Sequence, residues 1–184
     1  MASDQEGVTP QAEVILRAAA RAARAARQTG VAISTHSYAP GRVGDQQVAI
    51  LLDEGMDLEH VCIGHSNDST DLDYLLGLAR QGCYLGLDRY PGGAAGGPDW
   101  EMRTHVVKQL LDAGVGDRLL LSHDWGVLFG HSTSDVRQGR RHNPDGYLFI
   151  TRRVLPRLRQ LGVDQEHVRQ VMRDNPARFL NSTA

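Results

Sequence analysis

Several residue types that would point to other protein classes are scarce in this chain of 184 residues. It has only two cysteines, Cys62 and Cys83, so a disulfide-stabilised scaffold is excluded, and both lie in apolar runs where we expect small buried hydrophobes. No apolar run approaches the roughly 20 residues of a membrane-spanning helix. The start MASDQEGVTP has neither the basic cluster nor the apolar core of a signal peptide, so we expect a cytoplasmic protein.

An excess of charge of one sign is also lacking. The formal net charge is -2 and the pI is about 6.4, which predicts neither a nucleic acid nor a membrane as partner. Hydrophobic residues make up 41% and charged residues 23%, a balance typical of one globular domain, which we place at residues 1–184. Lysine is almost absent, and Lys108 is the only lysine among the 20 lysine and arginine residues.

Three short apolar runs each end on a side chain that can bind a metal. VAISTH ends at His36, VCIGH at His65 and LLLSHD at Asp124. In a parallel sheet the last residues of buried strands meet at the carboxyl edge, where α/β barrels assemble their chemistry. Two imidazoles and a carboxylate at that edge predict a hydrolytic metal site, although a single histidine after a strand is more often a loop or cap residue. His123 precedes Asp124, so strand alternation turns it to the opposite face.

A fourth run, CYLGLD, ends at Asp88 and is followed by Arg89. Helical patterns separate the four strands, and the glycine-rich segment 90–100 indicates a mobile lid rather than a phosphate loop. After Asp124 we expect a long loop up to Gly146, a helix kinked or split at Pro156, and a last helix ending near Asn175. Four βα units make half of an eight-stranded barrel, whose usual length is about 250 residues.

Six motifs in this order resemble the phosphotriesterase family of the amidohydrolase superfamily, over residues 8–180. They are THS (35–37), IGHSND (63–68), GLDRY (86–90), LSHDW (121–125), NPDGY (143–147) and NPARFL (175–180). The resemblance implies an α/β fold, the C-terminal half of a TIM (β/α)8 barrel with four parallel strands, from which the four N-terminal strands are absent. It also implies a divalent metal cofactor, with zinc the expected ion and two ions in the complete family site.

The resemblance assigns roles to the strand-end residues. It gives His36 and His65 to the more exposed metal and Asp124 to the buried one, with Asp124 also accepting a proton from the hydroxide between the metals. Asp68 matches a relay carboxylate that carries this proton away. The alternative for Asp68 is helix capping, because NDST is also a good helix start.

The same resemblance indicates where substrate binds. Arg89 stands where some organophosphate-hydrolysing members have histidine, and Asp88 to Tyr90 resemble the lactonase-like branch, so the expected substrate is a small molecule, a lactone or an organophosphate ester. We expect Arg89 to act in catalysis and Tyr90, Trp125 and Phe129 to contact substrate. As alternatives, Arg89 forms a salt bridge with Asp68 or Asp124 at the barrel rim, and the apolar residues only cover the barrel top.

Two family features are missing from the chain. No H-x-H pair occurs, and Lys108 lies in a helical stretch rather than at a strand end, so it cannot be the lysine that bridges both metals. We interpret this as absence of the first four strands. An open half-barrel would expose two strand edges and an apolar face, so three interpretations stay open. The chain forms a homo-oligomer, it pairs with a separately encoded N-terminal half, or, as we favour, the sequence is a piece of a longer enzyme.

Three hypotheses follow from these observations. The first, which we favour, is the C-terminal half of a phosphotriesterase-family hydrolase. The second is a catalytically silent half-barrel that binds a partner or self-associates. The third is a reduced single-metal site built from His36, His65 and Asp124.

Overall fold

Four parallel strands form the centre of the protein. The structure is a computed structural model that describes residues 10–93, 97–124 and 133–181. The strands pair in the order β1-β2-β3-β4, and the bounds are β1 Ile33–Ser34, β2 Val61–Ile63, β3 Tyr84–Leu87 and β4 Leu119–Leu121. Each strand is parallel to its neighbour. The predicted four-stranded α/β half-barrel is therefore confirmed.

Helices alternate with the strands as the apolar pattern predicts. The α-helices are α1 Pro10–Thr29, α2 Val43–Asp53, α3 Leu72–Arg80, α4 Trp100–Asp112, α5 Thr133–His142, α6 Leu155–Gln160, α7 Gln165–Arg169 and α8 Asn175–Leu180. Asp71, Asp99 and Asp164 cap the N-termini of α3, α4 and α7 by accepting backbone N–H groups. Among the described residues, no helix combines the length and apolarity needed to cross a membrane.

The main core lies between the helices and one face of the sheet. Leu75, Leu78, Val107, Leu110 and Leu119 are completely buried within it. Such burial on one face of each helix is the main source of stability in α/β units, since apolar area removed from water contributes roughly 25 cal/mol per Å². This apolar layer holds one face of the sheet against the helices, and the polar side chains follow the carboxyl ends of the strands.

The two late prolines do not end their helices. Each follows a π-helical turn, Ile150–Val154 before Pro156 and Gln170–Asp174 before Pro176. Proline lacks an N–H group and clashes with the carbonyl four residues earlier, and a wider turn accommodates both defects. The chain is helical without a break from Ile150 to Gln160, so the predicted kink or split at Pro156 takes the form of a change from π to α geometry just before it. The predicted end near Asn175 is wrong because α8 continues to Leu180.

The segment predicted as one long loop after Asp124 contains a helix. Helix α5 has a strongly polar sequence, TSDVRQGRRH, without the apolar spacing that predicts a helix packed on a core. Its C-terminal end nevertheless contacts the rest of the chain, because the His142 Nε2 atom lies 3.1 Å from the Gly92 carbonyl oxygen. Pattern reasoning fails here because the sequence of the helix carries no apolar stripe that would predict it.

The other face of the sheet carries a second, small cluster. Tyr84 and Cys62 point to this side and are 1% and 4% exposed, and Phe179 of α8 packs edge-to-face on Tyr84 with ring centroids 5.2 Å apart. Within the described residues the outer edges of β1 and β4 have no strand partner, as expected for a half-barrel. The expected apolar inner face is thus partly covered by the chain's own last helix.

Both cysteine thiols are predicted to be unreactive in the folded protein. Burial raises the pKa of Cys62 and of Cys83 to about 12, so the thiolate that reacts with disulfide reagents is scarce at pH 8. We expect a colorimetric disulfide reagent to titrate neither thiol in the native state and both in denaturant. Rapid reaction of either thiol in native buffer contradicts this packing of the strands.

Candidate active site at the carboxyl edge of the sheet

The side chains predicted from the strand ends lie at the carboxyl edge of the sheet. His36 follows β1, His65 follows β2 and Asp124 follows β4. His65 and Asp124 adopt left-handed backbone conformations, with φ of 60° and 43°. Non-glycine residues rarely occupy this region, and those that do cluster at functional sites. At His65 the turn follows β2 and leads into a 3-10 turn at Ser66–Asp68.

The two histidines face each other. The distance from His65 Nε2 to His36 Nδ1 is 2.8 Å, and the rings are nearly perpendicular, with centroids 4.4 Å apart. His65 is almost fully buried. Two imidazole nitrogens this close must share a proton or a cation, because two lone pairs repel each other. This pair can therefore supply two nitrogen donors to one metal ion.

Asp88 fixes the orientation of His65. Its Oδ1 atom accepts a hydrogen bond from the His65 backbone N–H at 2.9 Å and lies 3.0 Å from the ring Nδ1. With Nδ1–H donated to the carboxylate, the Nε2 lone pair is left for a ligand, which is the arrangement that commonly supports metal-binding histidines. Burial raises the pKa of Asp88, and the contacts with His65 counteract part of that rise.

Glycines beneath Asp88 make room for its carboxylate. A Cβ atom on Gly86 would lie 3.0 Å from Asp88 Oδ2 and 3.1 Å from Cys62 Sγ. A Cβ atom on Gly64 would lie 2.0 Å from the Thr35 carbonyl oxygen and 3.4 Å from Asp88 Oδ2. Because Gly64 directly precedes His65, its missing side chain allows the β1 and β2 ends to approach closely.

Arg89 connects the two remaining predicted carboxylates. Its Nε atom donates to Asp124 Oδ2 at 3.3 Å, and its Nη1 atom donates to Asp68 Oδ2 at 2.7 Å. Asp124 Oδ2 also lies 4.0 Å from His65 Nδ1. The rim salt bridges weighed as an alternative for Arg89 are therefore present. Asp68 does not cap a helix, because Asp71 caps α3 and the Asp68 carboxylate pairs with arginine.

Of the three residues predicted to contact substrate, the structure describes one, Tyr90. Tyr90 is 1% exposed and packs in the main core, so its side chain does not reach the exposed edge occupied by Arg89 and Asp124. Trp125 and Phe129 lie outside the described residues.

A complete metal site is not formed by this part of the chain. Across residues 10–93, 97–124 and 133–181, no three His, Cys, Asp or Glu side chains form a group that could hold a metal ion. The histidine pair fits two positions of a site, but Asp124 is engaged by Arg89 and lies near Nδ1 of His65 rather than Nε2. The structure gives no support to the single-metal hypothesis.

Three residues of the site were not assigned a role from sequence. Asp88 was visible as the end of a fourth apolar run, and the same strand-end rule that selects His65 would have selected it. Arg103 and Asn67 carried no signal, because one lies in a helix and the other in a short turn. Arg103 donates to Asp68 Oδ1 at 2.8 Å, and Asn67 Oδ1 accepts the Arg89 backbone N–H at 3.1 Å.

Comparison with known proteins gives a consistent family assignment. The model of the phosphotriesterase family matches residues 1–180. The phosphotriesterase homology protein of Mycobacterium tuberculosis is 38% identical over 178 residues, which cover 97% of this chain and 53% of that protein. An aryldialkylphosphatase of Saccharolobus solfataricus is 31% identical over 186 residues, which cover 98% of this chain and 56% of that protein. An N-acetyltaurine hydrolase of Dictyostelium discoideum is 31% identical over a match that covers 86% of this chain and 43% of that protein.

A solved structure supports the same assignment. The phosphotriesterase from Mycobacterium tuberculosis superposes with a TM-score of 0.83 at 36% identity, covering 91% of this chain and 51% of that one. The chain thus spans about half the length of the relatives it matches.

Replacing Gly64 is predicted to destabilise the site end of the sheet. In Gly64→Ala the new methyl group meets the Thr35 carbonyl oxygen, and such overpacking typically costs about 1–3 kcal/mol. Gly77→Ala is the matched control, because a Cβ atom there meets nothing within 4 Å and alanine favours the helix by roughly 0.5–1 kcal/mol. Urea unfolding of both variants measures the difference, and equal stabilities contradict the close approach.

Proposed function

Because the chain belongs to the phosphotriesterase family, we propose that it is the C-terminal half of a metal-dependent hydrolase that acts on a lactone, ester or phosphotriester. The observation that carries the proposal is the pair of facing imidazoles of His36 and His65, at the same sheet edge as the Asp124 carboxylate. A buried histidine whose Nδ1 atom contacts a carboxylate and whose Nε2 atom faces a second imidazole nitrogen has the arrangement expected of a metal ligand.

The bound metal would be held in part by this chain. His36 Nδ1 and His65 Nε2 would be two donors, and the other donors would come from a second half-barrel that carries the H-x-H pair and the lysine absent here. Divalent ions in such sites polarise the substrate oxygen and lower the pKa of water toward neutrality. Zinc, with its preference for imidazole nitrogen, fits the donors present.

The chain's own residues would then orient groups and dispose of a proton. Asp88 keeps the His65 ring fixed, and Asp124 is the exposed carboxylate that would accept the proton from the attacking water. Arginine is not deprotonated in proteins, so Arg89 cannot pass that proton on to Asp68. Its role would be to hold the two carboxylates at fixed positions, with water carrying the proton between them.

A lactone is the substrate class that we favour. The support is Arg89, since DRY at 88–90 resembles the lactonase-like branch and the guanidinium stands at the exposed edge of the site. The relatives' names cover an aryl dialkyl phosphate and an N-acyl compound. All three substrate types present a polarised oxygen beside an atom that water attacks, so one arrangement of groups can serve each of them.

A second candidate function is supported by the outer edges of β1 and β4, which have no strand partner in the part of the chain that the structure describes. A half-barrel that only binds a partner through these edges needs no metal and no turnover. Metal binding and catalysis therefore separate the two candidates.

Metal binding by the chain alone is predicted to depend on the histidine pair. We expect cobalt(II) or zinc to bind the 184-residue protein weakly and with release of protons, as seen by calorimetry. His36→Asn and His65→Asn should each abolish the signal. His105→Asn is the matched control, because His105 is exposed on α4 away from the sheet edge. Binding that survives both site variants contradicts the assignment.

Catalysis is predicted when the barrel is completed. The test mixes this chain and zinc with the part of the Mycobacterium tuberculosis relative that this chain does not match. Lactones and an aryl dialkyl phosphate are the substrates assayed. We expect turnover that Asp124→Asn lowers by roughly 100-fold or more without loss of assembly, since it removes a group acting in the transition state. A stable complex that hydrolyses none of these substrates favours the silent half-barrel.

A further inference from the structure

Arg103 is a buried arginine outside the residues assigned above. It lies in the first turns of α4 and its side chain is 3% exposed. Burying a guanidinium is unfavourable unless its N–H groups find acceptors. Here all three nitrogens do so. Nη2 donates to Asp68 Oδ1 at 2.8 Å, Nη1 donates to the Asn67 carbonyl oxygen at 2.6 Å, and Nε donates to the Pro98 carbonyl oxygen at 2.8 Å.

The Asp68 carboxylate is consequently held from both sides. Arg103 occupies Oδ1 from the protein interior, and Arg89 occupies Oδ2 from the exposed side, where it is 36% exposed. Two charge-assisted bonds on one carboxylate fix its rotamer. Because Arg89 also binds Asp124, ion pairs connect Arg103 to Asp124 through Asp68 and Arg89.

The same guanidinium organises the segment after β3. The Pro98 carbonyl oxygen that accepts from Arg103 also accepts the Gly93 N–H at 2.9 Å. Gly92 packs directly on the arginine, because a Cβ atom there would lie 2.0 Å from Arg103 Nε. Gly92 and Pro98, on the described parts of the segment predicted to be a mobile lid, therefore contact Arg103, and residues 94–96 of that segment lie outside the described residues.

We propose that Arg103 is a positioning residue that couples the segment beside the site, through Pro98 and Gly92, to the Asp68–Arg89–Asp124 chain. The expected effect on catalysis rests on the proposed hydrolase function. The expected effect on the structure rests only on hydrogen bonds within this chain. Arg103 itself touches no substrate. Its effect is to place Asp124, so a change of Arg103 alters kcat more than KM.

The catalytic test uses the completed barrel. We expect Arg103→Met to lower kcat by about 10- to 100-fold, the usual effect of removing a group that orients a metal-site residue, with a much smaller change in KM. Arg103→Lys keeps the charge but not the planar fork, so it should recover only part of the loss. Methylguanidine added to an Arg103→Gly variant should restore part of kcat.

A matched pair of glycine variants tests the same guanidinium without removing it. Gly92 and Gly93 have similar left-handed φ values of 73° and 77°, so alanine strains both backbones alike. A Gly92 methyl group meets both Arg103 and the Pro98 carbonyl oxygen that Arg103 binds, whereas the nearest atom to a Gly93 methyl group is 3.9 Å away, in Asp99. We expect Gly92→Ala to reproduce the kcat loss and Gly93→Ala to retain most of the activity.

A readout on the chain alone separates this proposal from the proposed function. The amide protons of Gly93 and Arg89 are bonded to Pro98 and Asn67, and we expect both to exchange at least tenfold faster in Arg103→Met. Arg118→Gln is the control, because Arg118 is a partly buried arginine bound to Glu59 and Gly82 at the opposite end of the sheet.

The outcomes are decisive in each case. Unchanged exchange in folded Arg103→Met, or an equal acceleration in Arg118→Gln, overturns the positioning role whether or not any substrate is hydrolysed. An inactive wild-type complex with the expected exchange pattern overturns only the hydrolase function. If Arg103→Met does not fold, Gly92→Ala against Gly93→Ala decides the question, and equal kcat values for those two variants overturn the proposal.

Discussion

Parallel pairing of β1 to β4 is the constraint on which the site depends. In an antiparallel sheet, neighbouring strands would end at opposite edges and the four chemically important strand ends would be separated. Parallel register instead delivers His36, His65, Asp88 and Asp124 to one edge, although 88 residues separate the first from the last. The helical layer stabilises this register from one side, and the glycines at 64 and 86 allow the strand ends to approach on the other.

Charges alternate along the site in an order that the fold imposes. From the interior outward, Arg103 binds Asp68, Asp68 binds Arg89, and Arg89 binds Asp124, which lies near the ring of His65. Asp88 holds that ring from beneath. Each charged group therefore has an opposite partner, which is the condition under which ionised side chains can be kept partly out of water. The arrangement connects helix α4 to the carboxyl edge of the half-barrel.

The sequence predicts the elements that depend on local pattern and fails where long-range packing decides. Apolar runs bounded by glycine or acidic caps identify all four strands and the helices between them. Strand alternation also places His123 on the helix side, where the Ile150 N–H donates to its Nε2 atom. The roles of Arg103 and Asn67 depend on contacts across 36 and 22 residues, which no periodicity reports. The π turns before Pro156 and Pro176 likewise follow from a steric demand that local propensity does not describe.

The contact between Phe179 and Tyr84 has a consequence for how such a barrel can be divided. The last helix reaches across to the strand face that a second half would approach, and it seals the region around Cys62 within the same chain. One part of this strand face is thus covered by the chain itself, while the histidine pair lies at the carboxyl edge of the sheet. Division of a full-length relative between its fourth and fifth strands would therefore place the metal-binding side chains on two molecules. The contact between Phe179 and Tyr84 would stay within the C-terminal one.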